Sequence, residues 1–154
     1  TLFRFHPPYA RVTFDGMKPR MYRTMQITIC NAPYYGAHMN LESGIVMNDG
    51  WLDVAIYTNF SKREFLQHAI SISQGRRTFT PKIVYHRAKS LHISTSETVE
   101  IQADGVVYGN TPVEITLQAN ALNVQVPKGQ VPGLLRESRQ EATRIIKRRR
   151  KIHA

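Results

Sequence analysis

What most restricts the fold of this chain is an apolar alternation of period two that restarts again and again along it. Ala10, Val12 and Phe14 alternate with Arg11 and Thr13, and Met25, Ile27 and Ile29 alternate with Thr24, Gln26 and Thr28. Leu52, Val54 and Ile56 repeat the pattern within 51–57. A period of two sends successive side chains to opposite faces, so each segment reads as a strand with one face buried. Short strand-like runs follow at 83–85, 91–94, 98–102, 106–108, 113–118 and 122–126. Turn residues separate them at roughly 8 to 12 residues, a spacing that favours an antiparallel sandwich over alternating β-α units. The expected fold is mainly β: an antiparallel β-sandwich with one inserted α-helix and a basic C-terminal helix.

The inserted helix announces itself at Ser61, whose hydroxyl forms a capping box with the Glu64 carboxylate. Phe65, Leu66, Ala69, Ile70 and Ile72 make its apolar stripe, expected to pack on the core, and Gly75 suits a left-handed C-terminal cap. Residues 1–133 are expected to form the sandwich and 134–154 a basic amphipathic helical tail. Between 136 and 151 there are eight Lys or Arg against two Glu, which places more than half of the +10 net charge in that tail. Such a tail suits an anionic membrane surface, where each basic residue contributes about 1 kcal/mol. It has no aromatic residue on which bases could stack, which counts against nucleic acid.

Other classes are narrowed by what the chain lacks. No apolar run approaches the roughly 20 residues a membrane helix needs. The lone Cys30 rules out an intramolecular disulfide and a thiolate zinc site, and its strand-like setting makes it an inert, buried thiol in a reducing compartment. There is no Gly-rich phosphate loop and no His-Glu-x-x-His motif. The expected location is cytoplasmic, peripheral at the membrane. A chain opening on Thr1 without Met is expected to be a piece of something longer.

Three Asp-Gly pairs, at Asp15, Asp49 and Asp104, each suit a tight turn. The stretch 31–40 has Pro, Gly and Asn but no period, so it reads as a loop, and a loop directly after a strand is a natural place for function.

The order of these signals carries more than any one of them. Asn31-x-x-x-Tyr35-Gly36, then Asn48-Asp-Gly-Trp-Leu-Asp-Val54, then a helix ending at Gly75, then Ala103-Asp-Gly105, Ala121-Leu122 and Val126-Pro127 resembles the C-terminal domain of the diacylglycerol kinase-like lipid kinases. That family includes bacterial lipid kinases and, more distantly, sphingosine and ceramide kinases. The resemblance implies a two-domain enzyme that phosphorylates a lipid hydroxyl. An N-terminal domain with a Gly-Gly-Asp-Gly-Thr signature holds ATP, and the C-terminal sandwich closes over the cleft. That signature is absent from this sequence, so the chain alone is expected to be inactive without a nucleotide-binding partner domain.

By the same resemblance Asp104 is the general base for the lipid hydroxyl, and Asn31, Gly36 and Gly105 face the nucleotide. Asp49 would hold Mg²⁺ together with the backbone carbonyls of Val46 and Trp51, supported by Asp53. His38, Arg76 and Arg77 are lesser candidates, with surface exposure as the competing explanation, and Asp15 is only a turn. Val106 departs from the family's usual Asp-Gly-Glu. Two other readings remain open: a non-catalytic sandwich that binds anionic membrane or nucleic acid through its tail, and a relative of the NAD kinases, which share the two-domain plan.

Overall fold

The computed structural model describes residues 6–32, 34–35, 39–40, 45–74 and 82–121. In chain order the elements are β1 (Tyr9–Phe14), β2 (Arg20–Cys30), β3 (Tyr34–Tyr35), β4 (Met39–Asn40), β5 (Leu52–Thr58), α1 (Lys62–Ser73), β6 (Ile83–Ala88), β7 (Ser90–Thr95), β8 (Glu100–Ala103), β9 (Val106–Asn110) and β10 (Val113–Thr116). Every strand pairing is antiparallel, and six strands join in the order β10-β7-β1-β2-β5-β6. The mainly β expectation holds. The small β3-β4 ladder lies inside 31–40, so that stretch is partly paired rather than all loop.

That strand order explains the sandwich. β6 and β7 stand four positions apart, which in a flat sheet is roughly 19 Å. Yet only Lys89 separates them in the chain, and two peptide steps reach about 7 Å at most. The sheet therefore folds over on itself. One corner is at Lys89, and the other is within β2, whose first part pairs with β1 and whose second part pairs with β5. The bend falls where the register shifts between Thr24 and Gln26. There the buried Thr24 hydroxyl lies 2.8 Å from the Gln26 carbonyl and 3.0 Å from the Tyr57 carbonyl. Such a bulge seats an extra residue and sharpens the local twist.

The bulge also corrects one expectation. Ile27 and Ile29 face the interior, but Met25 packs on the opposite side with Tyr57, Phe60 and Ile83. An inserted residue slips the alternation by one, so a strict period of two misplaces the side chain at the bulge.

Between the folded halves lies the main core, with Val12 from β1, Val54 and Ile56 from β5 and Leu91 from β7 the largest fully buried side chains. Each contributes roughly 1.5–3 kcal/mol by leaving water. On the outside of β5 and β6, α1 presses Phe65 and His68 against Tyr57 and Phe60. The helix begins as expected: Ser61 N–H donates to Glu64 Oε2 at 2.8 Å and Glu64 N–H to Ser61 Oγ at 3.3 Å. Its buried face differs, because the ring cluster takes Phe65 and His68 and leaves Leu66 and Ile70 about half exposed. Gly75, strand 122–126 and the basic C-terminal helix lie outside the described residues. Among the described residues no helix is long and apolar enough to cross a membrane.

Candidate functional site

Asp104 sits at the tip of the β8-β9 hairpin. Ala103 pairs with Val106, and the two residues between them, Asp104 (φ 49°) and Gly105 (φ 85°), both take the left-handed conformation a two-residue hairpin turn requires. The ribbon is rooted at its base. Thr111 N–H donates to the Val99 carbonyl at 2.9 Å, Val99 N–H donates to Thr111 Oγ1 at 3.1 Å, and the Thr95 and Thr111 hydroxyls bond each other. Beyond that base it stands clear of the sandwich. Val106, Val107 and Tyr108 are 60%, 56% and 77% exposed. The Asp104 carboxylate is exposed too and has no hydrogen-bond or ion-pair partner among the described residues. A carboxylate so placed can accept a proton from a group brought to it, and the side chains beside it offer apolar surface.

A second cluster forms on the outer side of β5 and β6. Cys30, Asp53 and Arg87 lie in one row across β2, β5 and β6. Arg87 bridges two carboxylates: Nη2 donates to Asp49 Oδ2, and Nε lies 3.3 Å from Asp53 Oδ1. Asp49 Oδ1 accepts the Trp51 N–H at 3.1 Å, which tightens the turn leading into β5. Arg87 and Lys89 both stand over the Trp51 ring, 5.9 and 5.0 Å from its centre. Burial raises the Asp53 carboxyl above its ordinary range, with Arg87 opposing and the Asp49 charge adding to the rise. Asp53 Oδ2 is buried without a hydrogen-bond partner among the described residues. Cys30 is pushed up to about 11, by burial first and the Asp53 charge second, so it is the neutral, inert thiol its strand setting implies.

The oxygen set at this cluster fits a hard cation in one respect: a buried acceptor lacks a donor beside a second carboxylate. No three His, Cys, Asp or Glu side chains come together among the described residues. Any cation would thus rest on Asp49, Asp53 and backbone carbonyls, and would compete with Arg87.

Asn31 is exposed and follows Cys30, the residue paired with Asp53, so it shares an end of the sheet with the Asp49 cluster. Val46 is half-buried and follows the buried Ile45. Asp104 belongs elsewhere: its hairpin leaves β7 after Thr95, whereas Trp51 meets Lys89 just before β7 begins. Gly36, His38, Arg76 and Arg77 lie outside the described residues. Sequence reasoning missed Arg87. Ending that strand at residue 85 left Arg87 off it, and carrying the alternation to Ala88 would have set Arg87 in line with Asp53.

Fold and site together define a β-sandwich domain that carries an exposed carboxylate, unpartnered among the described residues, on a projecting Asp-Gly hairpin. The chain belongs to the family described as the YegS C-terminal NAD kinase beta sandwich-like domain, which it matches over residues 1–126. No curated protein matches the chain. Three solved structures from Bacillus anthracis str. Sterne share its fold, each described as a diacylglycerol kinase, two of them provisionally. One is 23% identical with a TM-score of 0.59, covering 73% of this chain and 36% of its own. A second is 23% identical with a TM-score of 0.61, covering 77% and 40%, and a third 24% identical at 0.56, covering 73% and 38%. The chain therefore spans at most two fifths of these proteins; the likeness shows the shared fold, and the family match bears out the expected C-terminal β-sandwich domain of this kinase-like class.

Proposed function

We propose that this chain is the substrate-side domain of an ATP-dependent lipid kinase, acting on a hydroxyl such as that of diacylglycerol. The observation that carries this reading is the Asp104 carboxylate, unpartnered among the described residues at the tip of a hairpin with a fixed base and exposed apolar flanks. A substrate with one hydroxyl and a long apolar body needs both features. Asp104 takes the hydroxyl proton as that oxygen bonds to the γ-phosphorus of ATP and the bond from phosphorus to ADP breaks. Phosphoryl transfer depends chiefly on positioning, so the fixed hairpin base matters as much as the carboxylate. In the family's two-domain plan ATP is held mainly by an N-terminal nucleotide-binding domain, which Gly105, beside Asp104, would face. Val106, where the family usually has Glu, extends the apolar surface towards the lipid.

Asp49 and Asp53, with the carbonyls of Val46 and Trp51, are the groups that would hold Mg²⁺. When bound there it supplies positive charge to two carboxylates and fastens the turn at Asn48-Asp49-Gly50 to β5. Arg87 serves that purpose in the structure.

Asp104→Asn in the full-length protein, assayed with ATP and diacylglycerol, tests the reading. The expected result is a fall in kcat of at least about 100-fold with an unchanged melting temperature. Undiminished turnover would overturn the role given to Asp104, and no turnover by the wild-type protein would favour a non-catalytic module.

A further inference from the structure

The outer face of β1 and β2 is built differently from the rest of the surface. In the β1-β2 register Tyr9 lies opposite Arg23 and Arg11 opposite Met21. Directly opposed residues share a face, and this is the face turned away from the core, because Ala10, Val12 and Phe14 point inward. All four side chains are exposed, with Tyr9 at 55% and Met21 at 58%. Met17, at 57%, and Lys18 add one more apolar and one more basic group in the turn that joins the strands. The neighbouring strands contribute His92 on β7 and, opposite it, Glu114 on β10. Apolar and cationic side chains thus alternate across two strands, and Glu114 stands two strands away from Arg11 and three from Met21.

We infer that this face is a docking surface for an anionic lipid bilayer. Tyrosine suits the headgroup level, with an apolar ring and a polar tip, while methionines gain by entering the acyl boundary. Arginines placed among them are drawn to the negative leaflet, and their stems cover apolar surface. A nucleic acid would use the arginines but would gain nothing from two exposed methionines, and one tyrosine makes no stacking series. The inference deepens the lipid-kinase reading by placing a bilayer against one side of the sandwich. Its measurement does not depend on catalysis, so Asp104 and this face can fail separately.

The test is sedimentation of the 154-residue chain with vesicles of neutral phosphatidylcholine, with and without 30 mol% phosphatidylserine. Two double variants are compared, Arg11→Gln with Arg23→Gln, and the charge-neutral Met17→Ser with Met21→Ser, with Arg63→Gln on the exposed side of α1 as control. The basic tail is retained throughout, so its contribution is common to all. The expected result is binding to the anionic vesicles alone, weakened about 30-fold by the arginine pair, about 10-fold by the methionine pair and less than threefold by Arg63→Gln. Circular dichroism would confirm that each variant is folded. Full binding by both double variants would overturn the inference, as would a loss per charge at Arg63 equal to that at Arg11 and Arg23. Loss from the arginine pair with none from the methionine pair, together with tight binding of a single-stranded oligonucleotide, would assign the face to nucleic acid instead.

Discussion

Asp15-Gly16 and Asp104-Gly105 are the same dipeptide in nearly the same backbone, with the aspartates at φ 48° and 49° and the glycines at 68° and 85°. What surrounds them is opposite. Asp15 Oδ1 accepts the N–H groups of Lys89 at 2.7 Å and Ser90 at 2.8 Å, so its carboxylate pins the β1-β2 turn to the corner where the sheet folds over. Asp104 bonds nothing among the described residues and stands at the end of an exposed ribbon. One carboxylate is consumed in holding the fold, and the other is held out from it. An aspartate at a hairpin tip becomes a candidate for chemistry when the fold leaves its oxygens unsatisfied, not because it lies in a turn.

The same substitution at both sites would break or confirm that contrast. Asp104→Asn should cost most in turnover and nothing in stability, as set out above. Asp15→Asn should do the reverse: turnover by the full-length protein stays within about twofold, while chemical denaturation shows a loss of roughly 0.5–1 kcal/mol from weakened hydrogen bonds at the corner. Equal stability losses at both positions would erase the distinction. It is the smaller of the two effects and is surpassed by the next.

Arg87 extends the comparison to the third Asp-Gly pair, because Asp49 is satisfied by a cation of the protein itself. Arg87→Met leaves Asp49 and Asp53 without that cation. The half-exposed arginine limits the cost to about 1–2 kcal/mol. The folded protein already binds the Asp53 proton more tightly than the unfolded chain, since burial raises that carboxyl from 3.8. Stability therefore declines as pH rises from 3.8 through the raised value, and removing Arg87 should steepen the decline. Millimolar Mg²⁺ should restore much of the variant's melting temperature at pH 7 while barely moving the wild type. A wild type that responds to Mg²⁺ as strongly as the variant would show that Arg87 does not stand in for a metal.

These contrasts also mark how much the sequence discloses. The strands were legible because burial obeys the period of two along β1, β5 and β7, where Val12, Val54 and Leu91 are enclosed. The start of α1 was legible because a capping box is satisfied within four residues. Met25 was misplaced because the Thr24 bulge is set by a bond to the Tyr57 carbonyl, 33 residues away. The partners of Asp15 lie 74 and 75 residues along the chain, and Arg87 reaches across 38 residues to Asp49. Three identical dipeptides thus look alike locally and are told apart by contacts that only the folded sheet creates. The exposed flank of α1 has the same origin, since the rings of Tyr57 and Phe60 select Phe65 and His68 over Leu66 and Ile70.

The smallest expected effect belongs to a carboxylate satisfied both locally and across the fold. Glu64 accepts the Ser61 N–H and also meets Lys82 Nζ at 2.7 and 2.8 Å, which ties the first turn of α1 to the approach to β6. Its carboxyl is held down at about 2 by the Lys82 hydrogen bond first, and then by Ser61. A depressed carboxyl contributes stability that is present above its ordinary value of 4.5 and disappears as pH falls towards 2. Glu64→Gln should therefore lower the melting temperature by only about 1 °C at pH 7. The gap between variant and wild type should close between pH 4.5 and 2, whereas the gap produced by Lys82→Met at pH 7 should be smaller because the capping box survives. A gap that persists unchanged below pH 2 would mean that Glu64 acts through packing rather than charge, and that its link to Lys82 is incidental to the seating of the helix.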